Sequence, residues 1–187
     1  MLKWVLIVNG VIVVLLLFFI MTSYNSLISM RNRVRNQKSQ IDIELKRRFD
    51  LIPNLIETVK GYAAHEKKVL DDIAEARKSY VSAGDNTAKA LDADNVLQGA
   101  LTQVFALSES YPDLKSNTNF LKLQNDLSET EKRIVFARQF YNDSVLMLNN
   151  KIEMFPSSII AKFFNFKTEA FFEATTPERE NVNVNFS

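Results

Sequence analysis

The 187-residue chain has no cysteine, one histidine, and only four glycines and four prolines. Without cysteine it can form neither disulfides nor thiolate nucleophiles nor thiolate metal sites. So little glycine and proline is atypical of an all-β protein, whose many tight turns depend on both. The sequence also lacks a glycine-rich phosphate loop and a serine nucleophile motif. We therefore predict no enzymatic activity, no cofactor and no small-molecule substrate.

Charge is absent near the start of the chain and balanced in the rest. No charged side chain occurs from Trp4 to Thr22, and 16 of these 19 positions are apolar. All 22 acidic residues and all but one of the 23 basic residues follow this stretch. The remainder has no net formal charge, and hence no general attraction to nucleic acid.

The apolar stretch predicts a transmembrane anchor over residues 1–24. Roughly 20 apolar residues are needed to cross a hydrocarbon core of about 30 Å. A cleaved signal peptide is the rival interpretation, but its apolar core is typically only ~7–15 residues long and ends at a small-x-small site, which is missing here. The predicted anchor residues include Trp4, Val5, Ile12, Leu16, Phe19 and Met21.

Basic residues are placed unevenly around this stretch. Only Lys3 precedes it, whereas Arg31, Arg33, Arg35 and Lys38 follow it before the first acid. Because Lys and Arg near a membrane end favour the cytoplasmic side, we predict a cytoplasmic body. Residues 25–40 are predicted to form a basic helical stalk, which either touches anionic headgroups or serves only as an orientation signal.

Beyond the stalk, apolar residues recur three, four or seven positions apart, which is the spacing of one helix face. The pattern predicts an all-α protein, with an up-and-down bundle of three long helices and a shorter fourth over residues 41–175 and an extended tail over 176–187. We expect the first soluble helix to cover 25–80, with a kink or break at Pro53. The remaining predicted helices cover 95–110 (with 87–94 as a separate turn), 117–155 after an N-cap at 116 or 117, and 157–164 or up to 173.

Two charged residues, Glu131 and Arg138, fall on or beside the apolar stripe of the third helix. Buried charges are costly unless they are paired. We therefore predict that they pair with each other as a buried polar pair or with first-helix charges. The alternative is that both side chains reach water at the edge of the stripe. The first-helix candidates are Arg47, Arg48 and Asp50.

The single histidine, His65, is the natural starting point for a metal site. A carboxylate-rich site would need acids beside it, but no acid stands three residues before it to form a Glu-x-x-His pair. The acid pairs elsewhere, such as Asp92 with Asp94, are interpreted as solvated surface. We predict no metal site, so a metal-dependent hydrolase is the least favoured alternative.

Phenylalanine is concentrated at the end of the chain. Half of the 14 phenylalanines lie from Phe155 onward. Each such ring buries about 150–250 Å² when it packs. We expect these rings to pack on the bundle, with a partner surface or the membrane interface as the alternative.

Several segments closely resemble the LemA family. They are Leu45–Ile56, Val59–Glu66, Tyr111–Lys115, Glu129–Ile134 and Phe155-Pro156. The resemblance covers almost the whole chain and implies a single-pass protein of the bacterial inner or plasma membrane with an all-helical body. It implies no defined activity. Within the first two segments the polar residues are a candidate partner surface: Arg47, Arg48, Asp50, Asn54, Lys60 and His65.

These features favour a membrane-anchored interaction or scaffold protein. Its expected partners are the membrane and a protein, either another protein or a second copy of the chain. The alternative is a membrane-shaping or envelope-stress component that contacts lipid or membrane proteins directly.

Overall fold

The computed structural model describes residues 1–63, 66–84 and 86–172, and every regular element in these ranges is a helix. The all-α prediction is confirmed. The predicted tail over 176–187 and His65 lie outside the described residues. The helices are α1 (Leu2–Lys60), α2 (Lys67–Ala83), α3 (Thr87–Ser108), α4 (Pro112–Lys115), α5 (Thr118–Glu153) and α6 (Ser157–Phe163).

The described residues group into two compact units. The first unit comprises residues 1–37 and 139–171, and the second comprises residues 38–138 and Phe172. Helices α1 and α5 contribute residues to both. The predicted boundaries after residues 24 and 40 therefore fall inside one helix, α1.

The predicted helix over 25–80 is two helices, and the helix does not end at Pro53; the alternative of a kink there stays a prediction. Helix α1 continues through Pro53, whose side chain is exposed, and ends at Lys60. The neighbours Ile52 and Leu55 are fully buried. Burying such side chains stabilises by about 1.5–3 kcal/mol each, which offsets the roughly 3 kcal/mol that a proline costs inside a helix.

Two side chains cap helices at their starts. Asn86 accepts a hydrogen bond from the Lys89 backbone N–H at 3.1 Å, so α3 begins at Thr87 and the predicted separate turn over 87–94 is its first part. Asn117 accepts one from the Phe120 N–H at 3.0 Å, which confirms the predicted N-cap of the third long helix. Side-chain oxygens at N-caps satisfy backbone donors that have no partner within the helix.

The core of the second unit draws on all its helices. Two ring pairs lie within it: Phe49 stacks on Tyr80 with centroids 4.0 Å apart, and Phe105 meets Phe120 edge-on at 6.3 Å. The fully buried aliphatic members include Ile52, Leu55, Val59, Ile73, Leu97, Val104 and Leu114.

The first unit combines an exposed apolar helix with a buried patch. The residues from Leu2 to Phe18 are all exposed, although most are apolar. Beyond them Leu27 is fully buried and Val34 nearly so. From the other part of the unit, the buried apolar residues are Tyr141, Val145, Leu148, Ile160 and Ala161.

Candidate functional site

A buried arginine lies within the second unit. Arg48, on α1, is 1% exposed, and its Nη1 donates to both carboxylate oxygens of Asp94 on α3, at 3.0 and 3.1 Å. Nη1 also pairs with Glu131 on α5, and Nη2 donates to Gln98 on α3. One guanidinium therefore joins three helices. We call Arg48, Asp94, Gln98 and Glu131 the arginine cluster.

Burial controls the protonation of Asp94 within this cluster. The pKa of Asp94 is raised from 3.8 to about 6, chiefly by desolvation and against the positive charge of Arg48. The negative charge of Glu131 contributes to this rise, whereas the positive charge of Arg138 opposes it. At neutral pH Asp94 is thus mostly ionised, as its ion pair with Arg48 requires, but mild acid protonates it.

The arginine cluster has the geometry of a structural site. Arg48 and Asp94 are almost fully enclosed, so a substrate would not reach them. Removing one partner of a buried pair leaves an uncompensated charge, which costs about 3–5 kcal/mol. The cluster therefore ties α1, α3 and α5 into one arrangement rather than offering a reactive group.

The structure brings both members of the predicted buried pair to this cluster. Glu131 pairs with Arg48, one of the first-helix charges named as an alternative partner. Arg138, also half-buried, is near enough to Asp94 to lower its pKa. Arg48 itself was a candidate for the partner surface, but its burial removes it from any surface of the described chain.

Sequence reasoning missed Asp94 and Gln98. Asp94 was interpreted as solvated, yet it is 4% exposed. A signal was present, because Asp94 precedes the buried Leu97 by three residues and Leu101 by seven, which is the spacing of one helix face. Because the predicted helix began only at residue 95, the spacing of Asp94 relative to Leu97 and Leu101 was not considered.

The other predicted surface residues on α1 are exposed. Arg47, Asp50 and Asn54 share one face, since three or four residues separate neighbours on a helix face. Lys60 is exposed too, but it lies on another face of α1. His65 is outside the described residues, so its place in this surface stays a prediction.

Asn54 opens onto a groove between α1 and α5 in the second unit. The α1–α5 groove is open to solvent and carries charges of both signs around two leucines. Its lining residues are Leu51, Asn54, Glu57 and Thr58 from α1 and Asn119, Lys122, Leu123 and Asp126 from α5.

Within the described ranges, no three acidic or histidine side chains converge in a way that could hold a metal ion. In the same ranges, one helix is long and apolar enough to cross a membrane, by its length and composition. It is α1, and its most apolar window is 0% buried. Such exposure is unfavourable in water and favourable in lipid.

The chain matches the sequence model of the LemA family over residues 37–186. It is 26% identical to a LemA protein of Metamycoplasma hominis over 182 residues, covering 90% of this chain and 82% of that relative. It is 25% identical to magnetosome protein MamQ of Magnetospirillum gryphiswaldense, covering 80% of this chain and 64% of MamQ. Two MamQ proteins of Paramagnetospirillum magneticum are 23% identical to it. The match over most of the sequence shows that the chain belongs to the LemA family, and its apolar N-terminal helix is a candidate membrane span.

Proposed function

We propose that this chain is a membrane-anchored scaffold whose helical body binds a protein partner in the α1–α5 groove. The observation that carries the proposal is the continuity of α1. The same uninterrupted helix includes the candidate span and supplies one wall of the groove. A partner bound there is held by a protein that does not leave the membrane.

The chemistry of the groove suits a polypeptide. Leu51 is half-buried and Leu123 is buried, so the floor is partly apolar. Glu57, Lys122 and Asp126 surround it with both signs of charge. Protein interfaces commonly combine an apolar centre with a polar rim. A partner segment with a few apolar side chains and interspersed charges fits this lining.

The basic residues after the span support a cytoplasmic body in a bacterial inner or plasma membrane. Arg33, Arg35 and Lys38 are exposed on α1, whereas only Lys3 lies before the apolar stretch. Basic residues near the ends of a span are retained on the cytoplasmic side. A reporter fused after Ser187 that is active only outside the cytoplasm reverses this orientation.

Site-specific photocrosslinking in native membranes tests the groove. A photoreactive residue at Asn54 is expected to give a discrete adduct, and one at the exposed α3 position Val96 is the matched control. The mass of the adduct distinguishes a second copy of the chain from another protein. Lys122→Glu is expected to weaken the Asn54 adduct severalfold. If both positions give the same diffuse products, the groove is not a partner site.

A further inference from the structure

Helix α6 and the turn before it expose large apolar side chains in the first unit. Phe155 and Phe163 are each 81% exposed, and Ile159 between them is 58% exposed. The three are spaced by four residues. Within α6, Ile160 and Ala161 are buried instead. Helix α6 therefore carries apolar side chains that the protein covers and others that it leaves exposed.

Contacts with α1 place the C-terminal end of α6 beside the end of the candidate span. The Phe164 ring lies 4.6 Å from that of Tyr24, and the Phe166 ring lies 6.0 Å from it. Tyr24 stands three residues after Met21, the last residue of the apolar run. Tyrosine at such a position favours the headgroup region of a bilayer.

The end of α6 fixes this arrangement. Asn165 has a positive φ of 57°, and its N–H bonds the Lys162 carbonyl while the Phe166 N–H bonds the Ala161 carbonyl at 2.9 Å. This pair of bonds is the Schellman pattern that closes a helix. The turn returns Phe166 to α1, where the Arg31 guanidinium lies 5.4 Å from the centre of its ring.

The charges around the exposed rings favour an anionic surface. Between residues 151 and 169 the chain carries three lysines, Lys151, Lys162 and Lys167, against two acids, Glu153 and Glu169. Lys162 and Lys167 are exposed. Exposed aromatic residues flanked by lysines are typical of segments that lie in the membrane interface.

We propose that Phe155, Ile159 and Phe163 insert into the boundary between headgroups and acyl chains, in the leaflet where the α1 span ends. The chain then contacts the bilayer twice, once through the span and once through α6. The second contact rests on membrane anchoring by α1, which is part of the proposed function, but it does not require the partner groove.

Tryptophan depth measurements on the full chain test this contact. The chain's one tryptophan is first removed by the substitution Trp4→Phe. Phe163→Trp is then introduced, so that the single tryptophan of the variant lies in α6. The variant is reconstituted in vesicles of phosphatidylcholine and phosphatidylglycerol that carry bromine near the top of the acyl chains. We expect blue-shifted emission and quenching severalfold stronger than for the control Val96→Trp in the same background.

Two results overturn the proposal. Emission typical of water without quenching means that α6 stays in solvent. Blue-shifted emission without quenching by brominated lipid means that protein, either a partner or a second copy, covers the rings. Phe155→Trp repeats the test if Phe163→Trp loses its helical circular dichroism.

Two controls separate this contact from the rest of the molecule. Quenching of Trp4 by brominated lipid in the unmodified chain shows whether the α1 span is in the bilayer. A failure of anchoring by α1 is thereby distinguished from a failure of α6 to insert. The double variant Lys162→Glu and Lys167→Glu is expected to lose quenching of Phe163→Trp in the anionic vesicles. If the quenching is unchanged, the lysines do not assist insertion, and the electrostatic part of the proposal is wrong.

Discussion

At the scale of single residues, the arginine cluster is the feature that specifies how the second unit packs. An apolar side chain at position 48 would accept many neighbours, whereas a guanidinium needs oxygen acceptors at defined places. Asp94, Gln98 and Glu131 supply them from two other helices. Buried ion pairs often add little net stability compared with apolar packing, but breaking one is costly.

We predict that Arg48→Met destabilises the chain by about 3–5 kcal/mol, because Asp94 would remain buried without its cation. The measurement is thermal unfolding in detergent micelles, followed by circular dichroism. Arg47→Met is the matched control, since Arg47 is the exposed neighbour and surface substitutions usually change stability by about 0.5 kcal/mol or less. Equal effects of the two substitutions would contradict the assignment.

Protonation of Asp94 gives a second prediction. Its pKa is raised to about 6 in the folded chain, so the folded state binds a proton more readily than the unfolded state does. The corresponding stability is complete below the unfolded pKa of about 3.9 and is lost as the pH rises through about 6. Asparagine does not titrate in this range, so the stability of Asp94→Asn lacks this pH-dependent contribution.

We therefore expect the stability of the wild type relative to Asp94→Asn to rise as the pH falls from 7 to 4, by at most about 1.4 kcal/mol per pH unit. Unfolding of both proteins at several pH values in one detergent gives this difference. A difference that is constant across this range would mean that Asp94 is not titrating there.

The residues of this cluster were only partly predictable from the sequence. Glu131 was recognised because a charge on an apolar stripe needs a partner. Arg48 could have been chosen over Arg47 or Asp50, because it stands seven residues after the buried Ile41 and four before the buried Ile52. Asp94 was missed because the start of α3 depends on a single cap, Asn86.

At the scale of elements, helix type was easier to predict than helix ends. Val59, Tyr62 and Val69 continue the apolar spacing across the end of α1, so the pattern predicts no break there. In the structure Ala63 takes the buried position and Tyr62 is 42% exposed. A break was predicted at Pro53 because proline removes a backbone hydrogen-bond donor from a helix. Burial of the neighbouring side chains outweighs this local preference against helix.

The position of Pro53 inside α1 leads to a prediction for the whole helix. We expect Pro53→Ala to stabilise the chain by about 1–3 kcal/mol, since alanine restores the missing N–H and removes the steric crowding of the preceding turn. The adjacent exposed residue provides the control Asn54→Ala, for which a much smaller change is expected. A loss of stability in Pro53→Ala would mean that the proline holds α1 in a shape that the core requires.

At the scale of the molecule, helix α1 combines an apolar segment that favours lipid with a charged segment that favours water. The 14 Leu, Ile, Val and Phe residues between Trp4 and Thr22 each favour insertion by about 0.3–0.6 kcal/mol, for a total near 6 kcal/mol. One arginine at the centre of a span costs about 2.5–3.5 kcal/mol. A single arginine therefore leaves insertion favourable, whereas two nearly cancel it.

We predict accordingly that Leu16→Arg still integrates into the membrane and that the double variant Val13→Arg and Leu16→Arg does not. Resistance to carbonate extraction measures integration in cells. Ile43→Arg is the matched control, because Ile43 is an exposed apolar residue of α1 outside the charge-free stretch. Its substitution is expected to leave integration unchanged.

The graded response distinguishes a span from weaker membrane association. If α1 merely lay on the surface, a single arginine would turn towards water, and neither variant would lose much binding. If α6 alone held the chain, carbonate would extract the unmodified chain and both arginine variants alike. Only a helix that crosses the bilayer makes the second arginine decisive, because both charges would then have to be dehydrated in the hydrocarbon core.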